Sequence, residues 1–419
     1  MLDLPNAAEQ LEAALAKRST ADQARIRAIL HHVHVDALHF LEGKDGARGS
    51  SRPEFSRAHG LLHRAEDLLH KVGNAVLGTP DPTGQIYGTG TYESLDLGWT
   101  EALALWIENG HERATFSTSP ATIDIPDTVD LSIIGDWGTG DFGTEQSPSG
   151  SALIGRHVSQ SLKPAITIHL GDVYYAGTED NERSKLVDIF PWGTSSSFTL
   201  NSNHEMYPGA KAYFDVALAD RRFAAQNATS YFCLQNQHWA IVGLDTAYEA
   251  DYWDMYLQGT LKTSDGRSPQ LDFLRQVAQS GRQLIILTHH NPLELSGAPN
   301  PLWGEVTQAL ANTPSASRPV YWYYGHAHNA AVYLDVPGSA GVPTILPRLS
   351  GHAAVPYTVS TDLTESRQIS WLERAYIHGD SGLVRNGFST LALDGPQLTE
   401  SMLDQEGNVS WTRTATARQ

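Results

Sequence analysis

Val320-Tyr321-Trp322-Tyr323-Tyr324-Gly325-His326-Ala327-His328 is a short apolar and aromatic run that stops at two histidines one residue apart. The run reads as a buried strand, and the histidines fall just past its end. The same arrangement recurs along the chain. Leu131-Ser132-Ile133-Ile134 leads into Gly135-Asp136-Trp137-Gly138, and Ile166-Thr167-Ile168-His169-Leu170 leads into Gly171-Asp172-Val173-Tyr174-Tyr175. Phe198-Thr199-Leu200 leads into Asn203-His204-Glu205. Carboxylates, an amide and imidazoles placed beyond strand ends stand where an α/β sheet gathers its ligands. Their oxygen and nitrogen donors are of intermediate hardness and suit iron, manganese or zinc. The order of the chain spells out a metal site.

The chain has 419 residues, 41% hydrophobic and 18% charged, which is ordinary globular composition with room for a large core. Lys plus Arg against Asp plus Glu gives 29 − 47 = −18. Such a surface repels nucleic acid and anionic membranes, so neither is an expected partner. An anionic substrate would need a local positive focus, which bound cations supply. Cys233 is the only cysteine, which rules out an intrachain disulfide and a zinc–thiolate site. No signal-peptide stretch and no transmembrane run is visible, so the expected location is cytoplasmic. Nothing in the sequence fixes the oligomeric state.

Residues 1–120 differ from the rest. Ala7, Leu11, Ala14 and Leu15 stand at helical spacing, and Ser19-Thr20 can cap a second helix running through Ile26 to Leu38. Phe55 to Val72 and Thr100 to Ile107 give further helices. We expect a helical N-terminal region of unknown role over 1–120. From Thr122 onward strand and helix patterns alternate. Ser230–Gln235 and His238–Asp245 form a hairpin around Asn236-Gln237. Ser268 caps a helix with Pro269 in its first turn, and Gly281 closes it before the strand Leu284–Leu287. That strand delivers Thr288-His289-His290-Asn291-Pro292.

The series Gly-Asp-Trp-Gly, Gly-Asp-x-x-Tyr, Asn-His-Glu, His-x-Pro and Gly-His-x-His resembles the calcineurin-like metallophosphoesterases, and among them most the purple acid phosphatases. The resemblance spans roughly residues 128 to 355. It implies an α/β sandwich of two mixed β-sheets flanked by helices, over a domain of residues 121–419. It implies two metal ions, bridged by Asp172, with Asp136, Tyr175 and His328 on the first and Asn203, His290 and His326 on the second. His289 and His290 are adjacent; the position before x-Pro favours His290. Most of the superfamily has Asp-x-His at the first motif, where this chain has Asp136-Trp137-Gly138; Tyr175 stands in, as in purple acid phosphatases. Phenolate is a hard anionic donor, which favours Fe(III) on the first site, with divalent Fe, Mn or Zn on the second.

The implied activity is hydrolysis of small phosphomonoesters by a metal-bound hydroxide. His204, next to a ligand, is the phosphate-facing histidine, and Glu205 orients it. The alternatives are a phosphodiesterase on the same scaffold and a non-catalytic module that binds phosphorylated ligands. Two departures stand out. Ser202 replaces the family's usual glycine, and the chain lacks the further histidine expected after His-x-Pro. His352, in a Gly-rich return loop, is the candidate replacement for that catalytic residue. The N-terminal histidines, such as His59 and His63, read as packed or solvated rather than as ligands.

Overall fold

The computed structural model describes residues 11–28, 80, 84, 86, 90–93, 96, 98–109, 112–339, 341–377 and 382–417. The helix expected over Phe55 to Val72, and the continuation of the second helix to Leu38, lie outside the described residues. Within them, residues 11–16 and 20–28 are helical, and Ser19 Oγ accepts the Asp22 N–H at 3.2 Å, the expected cap.

Two mixed sheets face each other. The larger joins eight strands in the order β1 (Ala121–Asp124), β5 (Phe232–Gln235), β6 (Trp239–Leu244), β7 (Gln283–Thr288), β8 (Val320–Tyr324), β10 (Ile345–Ser350), β9 (Ala330–Tyr333) and β11 (Ile369–Leu372), and the smaller six in the order β14 (Val409–Thr416), β13 (Gln397–Asp404), β12 (Gly387–Asp394), β2 (Thr128–Ile134), β3 (Ile166–His169) and β4 (Ser196–Thr199). The segments that matter are β2 (Thr128–Ile134), β3 (Ile166–His169), β4 (Ser196–Thr199), β6 (Trp239–Leu244), β7 (Gln283–Thr288) and β8 (Val320–Tyr324). β2, β3 and β4 pair in parallel, as do β6, β7 and β8. All six therefore end on the same side of their sheets.

The side chains explain the layering. β7 alternates with period two: Ile285 and Leu287 enter the core between the sheets, Leu284 and Ile286 the core under the outer helices. Both faces are buried, so the strand reads as a continuous apolar run. Helices Pro269–Ala278 and Pro301–Leu310 cover the outer face of the larger sheet. Ser268 Oγ accepts from Leu271 N, and Gly281 has φ +70°, so the cap and stop act as read. The expected hairpin is β5 (Phe232–Gln235) against β6, antiparallel.

Arg348 on β10 (Ile345–Ser350) and Glu400 on β13 (Gln397–Asp404) tie the sheets together. Their bidentate pair, at 2.8 and 2.9 Å, is fully buried, and the Tyr323 hydroxyl donates to the same carboxylate at 2.6 Å. On the outer face of the smaller sheet, one continuous core joins Leu11, Leu15 and Ile26 to Tyr92, Trp99 and Trp106, and on to Ile134, Trp137 and Tyr174. Helix Trp99–Asn109 belongs to that core. Among the described residues, no helix is long and apolar enough to cross a membrane.

Candidate metal centre

Asp136 follows β2, Asp172 follows β3, Asn203 follows β4, His289 follows β7 and His326 follows β8, so the parallel strands deliver these side chains to one edge. Asp136, Asp172, His326 and His328 adopt left-handed φ of +58°, +74°, +70° and +48°. Each is a non-glycine residue held at a cost of about 1–3 kcal/mol, a pattern concentrated at functional sites. Glycine makes the crowding possible. A Cβ on Gly325 would lie 2.3 Å from Asp136 Oδ2, and one on Gly138 would lie 2.4 Å from the Asp172 carbonyl oxygen.

Asp172 sits between two groups of donors, fully buried. Its Oδ1 lies 3.3 Å from His289 Nε2. Its Oδ2 accepts from the Tyr174 hydroxyl at 2.9 Å and lies 3.9 Å from both His328 Nε2 and His204 Nε2. His328 Nε2 is also 3.6 Å from Asp136 Oδ1 and 2.9 Å from the Tyr174 hydroxyl. Burial alone would raise Asp172, but the imidazoles around it, His289 foremost, hold its carboxyl well below the usual range. Burial pushes His289 down to about 3, and His290 also falls well below the ordinary imidazole value.

The second group has the chemistry of a cation cradle. His289 Nδ1 donates to the Leu170 carbonyl at 3.0 Å, so its neutral Nε2 carries a lone pair. That nitrogen faces Asn203 Oδ1 at 2.9 Å and His326 Nδ1 at 3.2 Å. Asn203 is oriented by its Nδ2, which donates to the Tyr207 hydroxyl at 3.0 Å. Together with Asp172 Oδ1, these are acceptors facing one another, and a single proton on His326 is the most they can carry with both rings neutral. A metal ion relieves that convergence. Candidate ligand atoms within 4.8 Å of one another occur in two sets, Asp136 with Asp172 and His289, and His289 with His290 and His326.

Three expected residues are placed differently. Tyr175 is not brought to the cluster; its hydroxyl donates to Asp96, and burial and that carboxylate push the phenol far above its ordinary value. Tyr174 faces Asp172 and His328 instead. The cause lies outside the motif. Asp96, Tyr92 and Trp99 capture the Tyr175 ring, with Tyr92 at 4.6 Å and Trp99 at 5.1 Å between centroids.

His290 uses both nitrogens on the protein, with Nδ1 on Thr246 Oγ1 at 2.9 Å and Nε2 donating to the Tyr256 carbonyl at 2.8 Å. His289, not His290, aims a lone pair inward. His352 packs its ring against Gly387, its buried Nδ1 has no hydrogen-bond partner among the described residues, and burial lowers it to about 3. Among the described residues its ring has no contact with the cluster.

His204 Nδ1 donates to the Tyr175 carbonyl at 2.6 Å, which fixes the tautomer and turns Nε2 toward Asp172. Ser202, the departure from glycine, reaches both Asp172 and Glu205 with its hydroxyl. Burial, then the Asp172 charge, push Glu205 up to about 8. With its hydroxyl as the donor, Ser202 relays between the Glu205 and Asp172 carboxylates. Sequence spacing carries no signal for this relay or for the Trp99 ring lying 5.8 Å from His204.

Residues 131–330 match the model of the calcineurin-like phosphoesterase family. That family uses a dinuclear metal centre, and the candidate donors for one are present here. No curated protein matches the sequence. Among solved structures, a dimetal phosphatase from Danio rerio is 15% identical, covering 69% of this chain and 99% of its own, with a TM-score of 0.43. A predicted phosphoesterase from Streptococcus pneumoniae is 9% identical over 69% of this chain and 98% of its own, with a TM-score of 0.29. Vps29 from Chaetomium thermophilum is 13% identical over 70% of this chain and 100% of its own, with a TM-score of 0.30.

Proposed function

We propose that this chain is a dinuclear-metal phosphomonoesterase of the purple acid phosphatase type, with residues 121–419 as its phosphoesterase domain. The observation that carries the reading is the position of Asp172 between two donor groups at the carboxyl ends of parallel strands. Asp136, Tyr174 and His328 would hold one ion, Asn203, His289 and His326 the other, and Asp172 both. This assignment replaces Tyr175 by Tyr174 and His290 by His289. A phenol in the first group favours Fe(III) there, beside divalent Fe, Mn or Zn. Such ions acidify water to a nucleophile and neutralise charge on the phosphoryl oxygens.

The chain's own groups do the rest. His204, fixed through Nδ1, presents Nε2 where a protonated ring can give its proton to a leaving alkoxide. Ser202 and Glu205 hold the Asp172 carboxylate in place. Trp99 and Tyr174 pack on the His204 ring and keep bulk water from it. A single buried cysteine fits a reducing compartment such as the cytoplasm.

The test joins metal analysis and an absorption spectrum of the purified protein to its turnover of p-nitrophenyl phosphate and of the bis ester. Two ions per chain, a violet charge-transfer band and preference for the monoester are expected. Preference for the bis ester would make the chain a phosphodiesterase. Two bound ions without turnover of either would make it a binding module.

A further inference from the structure

One flank of the centre is open. A cavity of about 170 Å³ has His326 on one wall, Gln258 and Gly259 on a second, and Asn291, Glu294 and Asn300 on a third. Gly259 lies against His290, where a Cβ would come within 2.6 Å of the histidine's own Cβ. That contact fixes the loop at the edge of the metal site. The volume is below the roughly 300–1,000 Å³ of pockets that enclose drug-sized ligands, so the flank takes a group of few atoms.

The polar lining is selective in sign. Asn300 is used internally: its Nδ2 donates to the Asn291 carbonyl at 2.6 Å and its Oδ1 caps Trp303 N. The Asn291 amide donates to the Leu293 carbonyl. Gln258 and Glu294 remain, and among the described residues neither side-chain head has a hydrogen bond or ion pair. Among the described residues, no lysine or arginine lines the cavity. A carboxylate without a cation, on a chain of net charge −18, disfavours a second anionic group and welcomes a donor.

Resting on the phosphomonoesterase reading, we propose that this cavity is the leaving-group pocket and that Glu294 selects small phosphomonoesters whose alcohol carries an ammonium or hydroxyl donor. Phosphoethanolamine and glycerol phosphates have the required chemistry; nucleotides are too large for the cavity, and phosphorylated carboxylic acids bring a second anion against Glu294. Glu294 lies two residues past Pro292, in the stretch where the sequence lacks the histidine that the family resemblance led us to expect.

The experiment compares kcat/KM of the metal-loaded full chain for phosphoethanolamine, glycerol 2-phosphate and 3-phosphoglycerate, each relative to p-nitrophenyl phosphate. Phosphoethanolamine is expected to exceed 3-phosphoglycerate by about 10-fold or more, the scale of one charge-assisted hydrogen bond. Glu294→Gln should narrow the ratio, and Glu294→Lys should invert it, both through KM. Unchanged ratios in both variants overturn the proposal while leaving the phosphatase standing. Isothermal titration of the same esters separates the remaining cases. The same order of affinities without turnover keeps the pocket and removes the activity, and neither turnover nor binding overturns both.

Discussion

On the His204 side, the site is closed by rings that arrive from the N-terminal part of the chain, Tyr92 and Trp99, packed on Tyr174, Tyr175 and His204. On the His326 side, short loops leave a polar cavity and a carboxylate, Glu294, that is uncommitted among the described residues. On the proposed reading, the closed flank fixes where a proton is held and excludes water from it. The open flank decides what is admitted. Orientation of the chemistry and choice of substrate therefore depend on different parts of the sequence, and can be altered separately.

The strongest challenge to this division is His204→Ala. Loss of a positioned acid costs about 10²–10⁴-fold in rate. The variant should keep both ions and lose less on esters with good leaving groups. Near-wild-type turnover with both ions bound would remove His204 from the mechanism, and the closed flank would have no catalytic purpose.

Next comes the wall itself. Trp99 is 1% exposed, and Trp99→Ala should cost about 3–5 kcal/mol in urea unfolding, with the kcat/KM ratios set by Glu294 unmoved. A changed ratio would mean that the flanks are not separable.

The paired tyrosines sharpen the same contrast by spectrum. Tyr174→Phe should bleach the charge-transfer band of the iron-loaded protein. Tyr175→Phe should leave it, losing about 1–3 kcal/mol of stability with the Asp96 hydrogen bond. The reverse pattern would return Tyr175 to the metal.

The smallest effect is at His352. Its folded value of about 3 lies below the ordinary 6.5, so the unfolded chain binds the proton first and stability falls as pH drops from about 6.5 toward 3. His352→Ala should flatten that limb of the unfolding curve, though not abolish it, because His169 is depressed in the same way. An unchanged slope would show that His352 does not titrate as buried.

Much of the edge was legible in the sequence. The run Val320 to Tyr324 is β8 residue for residue, and the runs before Asp136 and Asp172 are β2 and β3 within a few positions. Buried parallel strands announce themselves by unbroken apolar character, and the ligands follow at fixed offsets. Adjacent like residues were not legible. Which of Tyr174 and Tyr175, or of His289 and His290, faces the cluster turns on a small change in turn backbone. The deciding partners, Asp96 for Tyr175 and Thr246 for His290, lie 79 and 44 residues away. A motif records composition at a turn, but tertiary packing decides which neighbour points inward.

Gly138 carries an evolutionary consequence. With only 2.4 Å between a Cβ there and the Asp172 carbonyl, and with Gly138 N–H and C=O both paired to the second motif, no side chain fits at this position on the present backbone. Replacement by histidine, the single change that would move the first motif toward the commoner Asp-x-His pattern, meets a steric wall before any ligand benefit is gained. That neighbouring solution stays out of reach of a single substitution while the backbone keeps this turn.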